Sequence, residues 1–161
     1  MDVKKIVSAY AGKNDKGQNE IDLKGLASDK AFREQAIKAV IKEVQEKDDV
    51  CVLIPAFRRD NTHLSKLINE LALTLQVKTL VTGDVTNLKR VKSHPKNIML
   101  IKQSFRTGKE LQAQIDEIKA MGCTVSVFCL LAHSSAKLQS FGYQNEVKIK
   151  ALVAVDEIPY I

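Results

Sequence analysis

The chain has 161 residues, of which 45% are apolar and 27% charged, and its formal net charge is +6 at pH 7. This length predicts a single domain, residues 1–161, with one substantial core. No apolar run could span a bilayer and no signal-peptide pattern opens the chain, so we expect a cytoplasmic protein without a membrane partner. The positive balance favours anionic ligands, but the basic segments lack interleaved aromatic residues, which argues against nucleic acid.

The amino-terminal segment, residues 1–27, is polar apart from a short apolar stretch at residues 6–10. We predict that it forms a small hood-like segment ahead of a core of residues 28–161. The core should begin with a helix capped by Ser28, because apolar residues recur there at every fourth position. These residues are Phe32, Ala36, Val40 and Val44.

Five short apolar runs follow, each rich in β-branched residues and typical of strands buried on both faces of a parallel sheet. They are residues 50–54, 79–82, 98–101, 124–131 and 149–155. Two further helical stripes lie between them: Leu64, Leu67, Ile68, Leu71 and Leu75, and then Leu111, Ile115, Ile118 and Met121 before a stop at Gly122. We expect loops at residues 83–97 and between the last two strands. This order predicts an α/β fold with a mainly parallel five-stranded sheet flanked by helices.

Ligands of open parallel sheets bind beyond the carboxyl ends of the strands. Four connections should therefore meet at one edge: residues 55–61, 83–97, 102–110 and 133–139. In the third, a buried strand runs through a turn into a helix, whose first backbone N–H groups can bind an anion. The residues that we predict to bind phosphate are Phe105, Arg106, Thr107, Gly108, Lys109 and Glu110, with added charge from Lys102, Arg58 and Arg59.

The histidines do not predict a metal site. His63 and His133 could both lie at this edge, but no third ligand follows at a recognisable spacing. We therefore expect no metal ligands, and either histidine could instead help to bind an anion.

A known family is similar to this chain at the strand of residues 98–101, at Thr107-Gly108 and at the helix that contains Leu111. These strings, and the order of elements along nearly the whole chain, resemble the type I phosphoribosyltransferases and, within them, the orotate phosphoribosyltransferases. In that family two acids follow the strand and meet the ribose hydroxyls of phosphoribosyl pyrophosphate. A Thr-Thr-Gly-Gly-like loop then holds the 5′-phosphate. The resemblance implies this fold, a Mg²⁺-bound substrate and a homodimer.

The chain departs from the family at its chemical motifs. Lys102-Gln103 stands where the family has its acid pair, and an ammonium group repels the cation that two carboxylates would organise. The turn at residues 55–61 lacks the glycines that let backbone approach pyrophosphate. No arginine stands near His133, where the orotate enzymes hold the base carboxylate. These departures predict a site that has lost its reaction.

The leading hypothesis is a catalytically impaired phosphoribosyltransferase-fold protein without a cofactor. It would bind a phosphorylated small molecule, such as phosphoribosyl pyrophosphate, a ribose phosphate or a nucleotide, in a regulatory or binding role. The alternative is an active, Mg²⁺-dependent, orotate phosphoribosyltransferase-like enzyme. By the resemblance its catalytic residues would be Lys16, Lys89, Lys92 and His94. A third hypothesis is an oligomeric interaction module.

Overall fold

The computed structural model describes residues 2–45, 50–53, 70–71, 73–74, 81–82 and 97–158. The second predicted helical stripe falls largely outside these ranges, but Glu70, Leu71, Leu73 and Thr74 are helical and Leu71 is buried in the core. Within the described part of the chain, no helix is long and apolar enough to cross a membrane.

The amino-terminal segment contains two short helices and a hairpin. Helix α1 is Val3–Ser8, the antiparallel strands β1 and β2 are Ala11–Lys13 and Asn19–Ile21, and helix α2 is Leu23–Ser28. Asp2 and Asp22 cap the two helices by accepting backbone N–H groups at 3.0 Å. The segment is attached to the rest of the molecule by apolar side chains in a shared core cluster; these are Ile6, Val7 and Leu26.

Helix α3, Lys30–Gln45, follows directly, and its predicted apolar stripe is buried as expected. The predicted cap, Ser28, is wrong, because Ser28 is the last residue of α2. Asp29 lies in an extended conformation between the two helices, and its carboxylate accepts the Phe32 N–H at 2.9 Å. Asp29 therefore ends one helix and caps the next.

The Asp29 carboxylate also joins the turn between α1 and β1 to α3, since it accepts the Tyr10 hydroxyl at 2.6 Å. This bond lowers the pKa of Asp29, as does the backbone bond from Phe32, while partial burial acts in the opposite direction. The stabilisation is complete above the unfolded pKa, about 3.9, and is lost as the pH falls through the lowered folded pKa.

We expect Asp29→Ala to cost about 1 kcal/mol at pH 7, or roughly 3 °C in melting temperature, because a helix cap is lost. The difference from wild type should shrink steadily below pH 4. Thermal unfolding at pH 7 and at pH 3 measures both values, with Asp15→Ala in the exposed hairpin turn as the control. A difference that does not change with pH would contradict the role of the carboxylate.

Among the residues that the structure describes, the core sheet has five parallel strands, as predicted. They are β3 (Val50–Leu53), β4 (Val81–Thr82), β5 (Asn97–Phe105), β6 (Thr124–Ala132) and β7 (Lys148–Ala154), in the spatial order β4-β3-β5-β6-β7. The chain passes from β3 outward to β4 and then returns to the other side of β3 as β5. The strand order therefore reverses between β3 and β5, which in open α/β sheets is where ligands bind.

Helices cover both faces of the sheet. Helices α1, α2 and α3 contribute to one core cluster, while α4 (Lys109–Ala120) and α5 (Ser135–Gln144) contribute to the cluster on the other face. Helix α4 carries the predicted stripe and ends before Gly122, which has a φ of 79°. The loop predicted between β6 and β7 is wrong, since α5 lies there. Its stripe is short, with Leu138 and Phe141 buried beside Gly142.

Near the carboxyl ends of β5, β6 and β7, the side chains do not alternate regularly between the two faces of the sheet. In β6, the neighbours Leu130 and Leu131 both pack in the first cluster, and in β7 so do Leu152 and Val153. At the same level of β5, Phe105 packs in the second cluster, among α4 and α5. Regular alternation with Ile101 would have placed the Phe105 ring on the other face. The irregularity brings this ring beneath the turn that opens α4.

A candidate anion site at the carboxyl edge of the sheet

Strand β5 extends further than the apolar run predicts. It continues through Lys102 and Gln103 to Phe105, and Lys102 is paired with Cys129 of β6. The turn that we predicted to begin at Lys102 begins at Arg106. Polar side chains end the apolar pattern, but the backbone ladder to β6 continues past them.

Lys102 lies beside a buried thiol. Burial raises the pKa of Cys129 to about 12, and the nearby charge of Lys102 offsets only part of that effect. The thiol is therefore protonated at neutral pH, whereas a nucleophilic cysteine would need to be a thiolate. Cys129 is a core residue, and Lys102 brings positive charge close to the carboxyl end of the sheet.

The turn after β5 opens α4 without a side-chain cap. Arg106, Thr107 and Lys109 are exposed, while Gly108 is buried at the N-cap position with a φ of 72° and forms no side-chain capping bond. The first N–H groups of a helix point out of its amino end, where the helix dipole favours an anion. The chain thus provides both backbone donors and flanking cations at this turn.

Gly108 is tightly enclosed by two aromatic rings. A Cβ built on Gly108 would lie 2.4 Å from a ring carbon of Phe141 and 2.8 Å from a ring carbon of Phe105. The two rings contact each other edge to face, with their centroids 5.2 Å apart. Phe105 is buried, so any contact it makes with a ligand in the turn would come from its backbone.

Arg106 is tied to His133, the first residue after β6. Its Nε donates to His133 Nε2 at 3.2 Å, and the His133 backbone N–H donates to the Phe105 carbonyl at 2.9 Å. Burial lowers the pKa of His133, and the charge of Arg106 lowers it further. The imidazole is therefore neutral at pH 7, as an acceptor at Nε2 must be.

The neighbouring helix α5 begins at the same edge but already has an acid at its amino end. Ser134 accepts the Lys137 N–H at 3.3 Å. The Asp156 carboxylate, which follows β7, accepts the N–H and hydroxyl of Ser135 at 3.1 and 2.9 Å. Of these two helix ends, only that of α4 is left without a carboxylate among the described side chains. The Ser134 cap could have been read from the sequence, whereas the Asp156 contact could not.

The other predicted site residues are placed as follows. Lys16 is exposed in the β1–β2 turn, where its N–H donates to the Asn14 side chain at 2.9 Å. The backbone of Glu110 lies in the first turn of α4. Arg58, Arg59, His63, Lys89, Lys92 and His94 lie outside the described residues. Within the described ranges, no group of three histidine, cysteine or acidic residues could hold a metal ion.

A groove of about 380 Å³ lies at the opposite edge of the sheet, among the amino ends of β5, β6 and β7. Glu146 and Lys148 line it together with Asn97 and Thr124, whose side chains bond to each other. Because Glu146 and Lys148 carry opposite charges, the groove does not favour one ligand class. We therefore place the candidate site at the carboxyl edge.

No protein-family profile matches this sequence, and neither does any curated protein sequence. Several solved structures do match over nearly their full length. The orotate phosphoribosyltransferase of Aeropyrum pernix aligns with a TM-score of 0.63 at 15% identity, covering 96% of this chain and 94% of that one. A phosphoribosyltransferase of Corynebacterium diphtheriae aligns with a TM-score of 0.59 at 11% identity, covering 97% and 95%. The chain has the phosphoribosyltransferase fold.

A third phosphoribosyltransferase-fold structure is also informative. The orotate phosphoribosyltransferase of Mycobacterium tuberculosis, in complex with inorganic phosphate, aligns with a TM-score of 0.55 at 10% identity, covering 96% of this chain and 95% of that one. The family resemblance inferred from strand, turn and helix is thus confirmed at the level of the fold. In this phosphoribosyltransferase-fold chain, Lys102 and Gln103 lie in β5 just before the turn that carries Arg106.

Proposed function

We propose that this phosphoribosyltransferase-fold protein binds a phosphorylated metabolite at the turn of residues 106–109 and does not transfer phosphoribosyl groups. The observation that supports it best is the amino end of α4, which has no side-chain cap and is flanked by Arg106 and Lys109. It lies beside the reversal of strand order, where ligands bind in sheets of this kind. A phosphate group suits the donors and the charge of such a turn.

The balance of charge at the turn favours a phosphate dianion. Arg106, Lys109 and Lys102 are cationic, and among the described side chains no carboxylate pairs with Arg106 or Lys109. Each unit charge about 4 Å from another is worth about 1 kcal/mol even in water. A dianion between two cations would therefore gain several kcal/mol before salt screening and desolvation reduce it.

The case against transfer chemistry rests on Lys102 and Gln103. By the family resemblance two carboxylates stand here, so the local charge changes by about three units. A hard divalent cation needs oxygen ligands, and the Gln103 amide supplies a single neutral one. Lys102 could instead bind an anionic oxygen directly, as a point charge.

A binding assay with ribose 5-phosphate tests the proposal. At one hundred times its dissociation constant the ligand should stabilise the protein by about 2.7 kcal/mol, or roughly 8 °C in melting temperature. Ribose without the phosphate is the matched control and should give no shift. In parallel, labelled phosphoribosyl pyrophosphate with a panel of nucleobases should release no pyrophosphate, with or without Mg²⁺.

The second candidate is an active orotate phosphoribosyltransferase-like enzyme, and it is favoured because two of the three matching structures described above are orotate phosphoribosyltransferases. Mg²⁺ would then be held by the pyrophosphate of the substrate. Metal-dependent pyrophosphate release would overturn the binding-only proposal, and Lys16→Ala, in the exposed hairpin turn, should then lower that rate sharply. The homodimer and the cytoplasmic location stay predictions.

A further inference from the structure

We infer that His133 is a positioning residue, which holds the Arg106 guanidinium so that its two Nη groups face a phosphate. The inference rests on the proposed function, because it concerns how that same turn recognises its ligand. It is carried by the bond from Arg106 Nε to His133 Nε2. The family resemblance described in the sequence analysis assigns no role to an arginine at position 106 or to a histidine at position 133.

His133 is a fixed acceptor for a side chain that would otherwise move freely. Its backbone N–H is hydrogen-bonded to the Phe105 carbonyl at the end of β5, and the residue, which follows β6 in the chain, is partly buried. Arg106 is exposed and has a long side chain, whose rotamer entropy must be lost when it binds a ligand. A bond formed before the ligand arrives removes part of that cost.

The hydrogen bond to His133 also determines which edge of the guanidinium is left for a ligand. An arginine has five N–H donors, and His133 uses the one on Nε. The four donors on the two Nη atoms remain, and two of them can form parallel bonds to two phosphate oxygens. A lysine at position 106 could provide charge but not this paired geometry.

The inference also fixes the state of the imidazole. A ring nitrogen that accepts a hydrogen bond carries no proton, so His133 must be neutral with its proton on Nδ1. This tautomer can be observed without any ligand, from the ¹⁵N chemical shifts of the ring. In Arg106→Ala the preference for it should be lost, because Nε2 no longer has its donor.

The functional test compares two substitutions at His133 by calorimetric titration with ribose 5-phosphate. His133→Gln retains an acceptor of similar reach, whereas His133→Leu fills the space without one. We expect affinity to fall about tenfold in His133→Leu and less than threefold in His133→Gln. In the Arg106→Ala background the two substitutions should have equal affinities, because the residue that they position is absent.

The possible failures are distinguishable. If wild type binds ribose 5-phosphate but His133→Leu and His133→Gln bind it with equal affinity, the role of His133 is overturned and the proposed function stands. If His133→Leu unfolds, a fall in the affinity of the folded His133→Gln beyond tenfold would also overturn it. If wild type shows the Nδ1–H tautomer but binds no phosphate compound, the proposed function fails and the pair is structural. If the tautomer preference is the same in Arg106→Ala and in wild type, the hydrogen bond from Arg106 to His133 does not set it, and the inference is overturned.

Discussion

Replacing Gly108 by alanine is expected to destabilise the protein by about 3 kcal/mol, whereas the same change at Gly122 should cost about 1 kcal/mol. Both glycines have positive φ, 72° and 79°, so both substitutions incur the left-handed backbone penalty of about 1–2 kcal/mol. Only at Gly108 would the new methyl group also overlap the Phe105 and Phe141 rings. Overpacking of this kind adds about 1–3 kcal/mol.

Thermal and chemical denaturation of the two variants measure this difference, which corresponds to roughly 10 °C against 3 °C in melting temperature. Gly122 is the matched control because nothing lies within 4 Å of the position that a Cβ on Gly122 would take. Equal losses for the two variants would show that the rings do not enclose Gly108. We expect Phe141→Leu, added to Gly108→Ala, to recover part of the lost stability. If the rings do not enclose Gly108, the added substitution should recover none of it.

The enclosure of Gly108 links the core to the candidate site. The rings that restrict it come from β5 and α5, so the turn between Arg106 and Lys109 is supported from two elements rather than from its own residues. A turn held in this way has its backbone N–H groups oriented before a ligand arrives. Such preorganisation raises affinity by reducing what must be ordered on binding.

The elements that the sequence predicted correctly are those with repeated apolar signals. The stripes of α3 and α4 recur over three or four turns, and the five strands are continuous apolar runs. The sequence does not predict helix α5 because it presents only Leu138 and Phe141 beside a glycine, and it is also supported by its contacts with β7 and by the Ser134 cap. Propensity alone cannot identify such a helix.

The predicted boundaries of helices and strands are wrong where two local sequence signals compete. Ser28 and Asp29 are both good caps, and only the backbone shows that the first ends a helix and the second begins one. Lys102 and Gln103 look like a turn because they interrupt an apolar run. They belong to β5 because pairing with β6 continues to Phe105, and that long-range contact is not written in local composition.

The candidate site could be predicted in part. The sequence predicts that Arg106–Lys109 lie where a strand passes into a helix, and in the structure Arg106, Thr107 and Gly108 form that turn and Lys109 begins α4. Their role in phosphate binding stays a prediction. It could not predict that Arg106 donates to His133, because the two residues are 27 positions apart and only the sheet brings them together. Convergence of parallel strands identifies an edge, but it does not specify pairs of atoms.

Reversing the charge of Arg106 should have the largest effect on ligand binding. We expect Arg106→Glu to lower the affinity for ribose 5-phosphate by at least 100-fold. The change removes a cation and adds an anion next to a dianion, which at about 1 kcal/mol per pair of unit charges amounts to about 4 kcal/mol before screening. Isothermal titration at low and at physiological salt measures the loss, which should be smaller at the higher salt concentration.

Lys148→Glu is the matched control, because it changes the net charge by the same amount at the opposite edge of the sheet. Lys148 is exposed and is the first residue of β7, whereas Arg106 follows the last residue of β5. Screening over the length of a strand should limit its effect to less than threefold. Equal losses from both reversals would mean that the protein attracts phosphate only through its overall positive charge. A loss confined to Arg106→Glu would locate the phosphate at the uncapped end of α4, because that is where the Arg106 charge acts at short range.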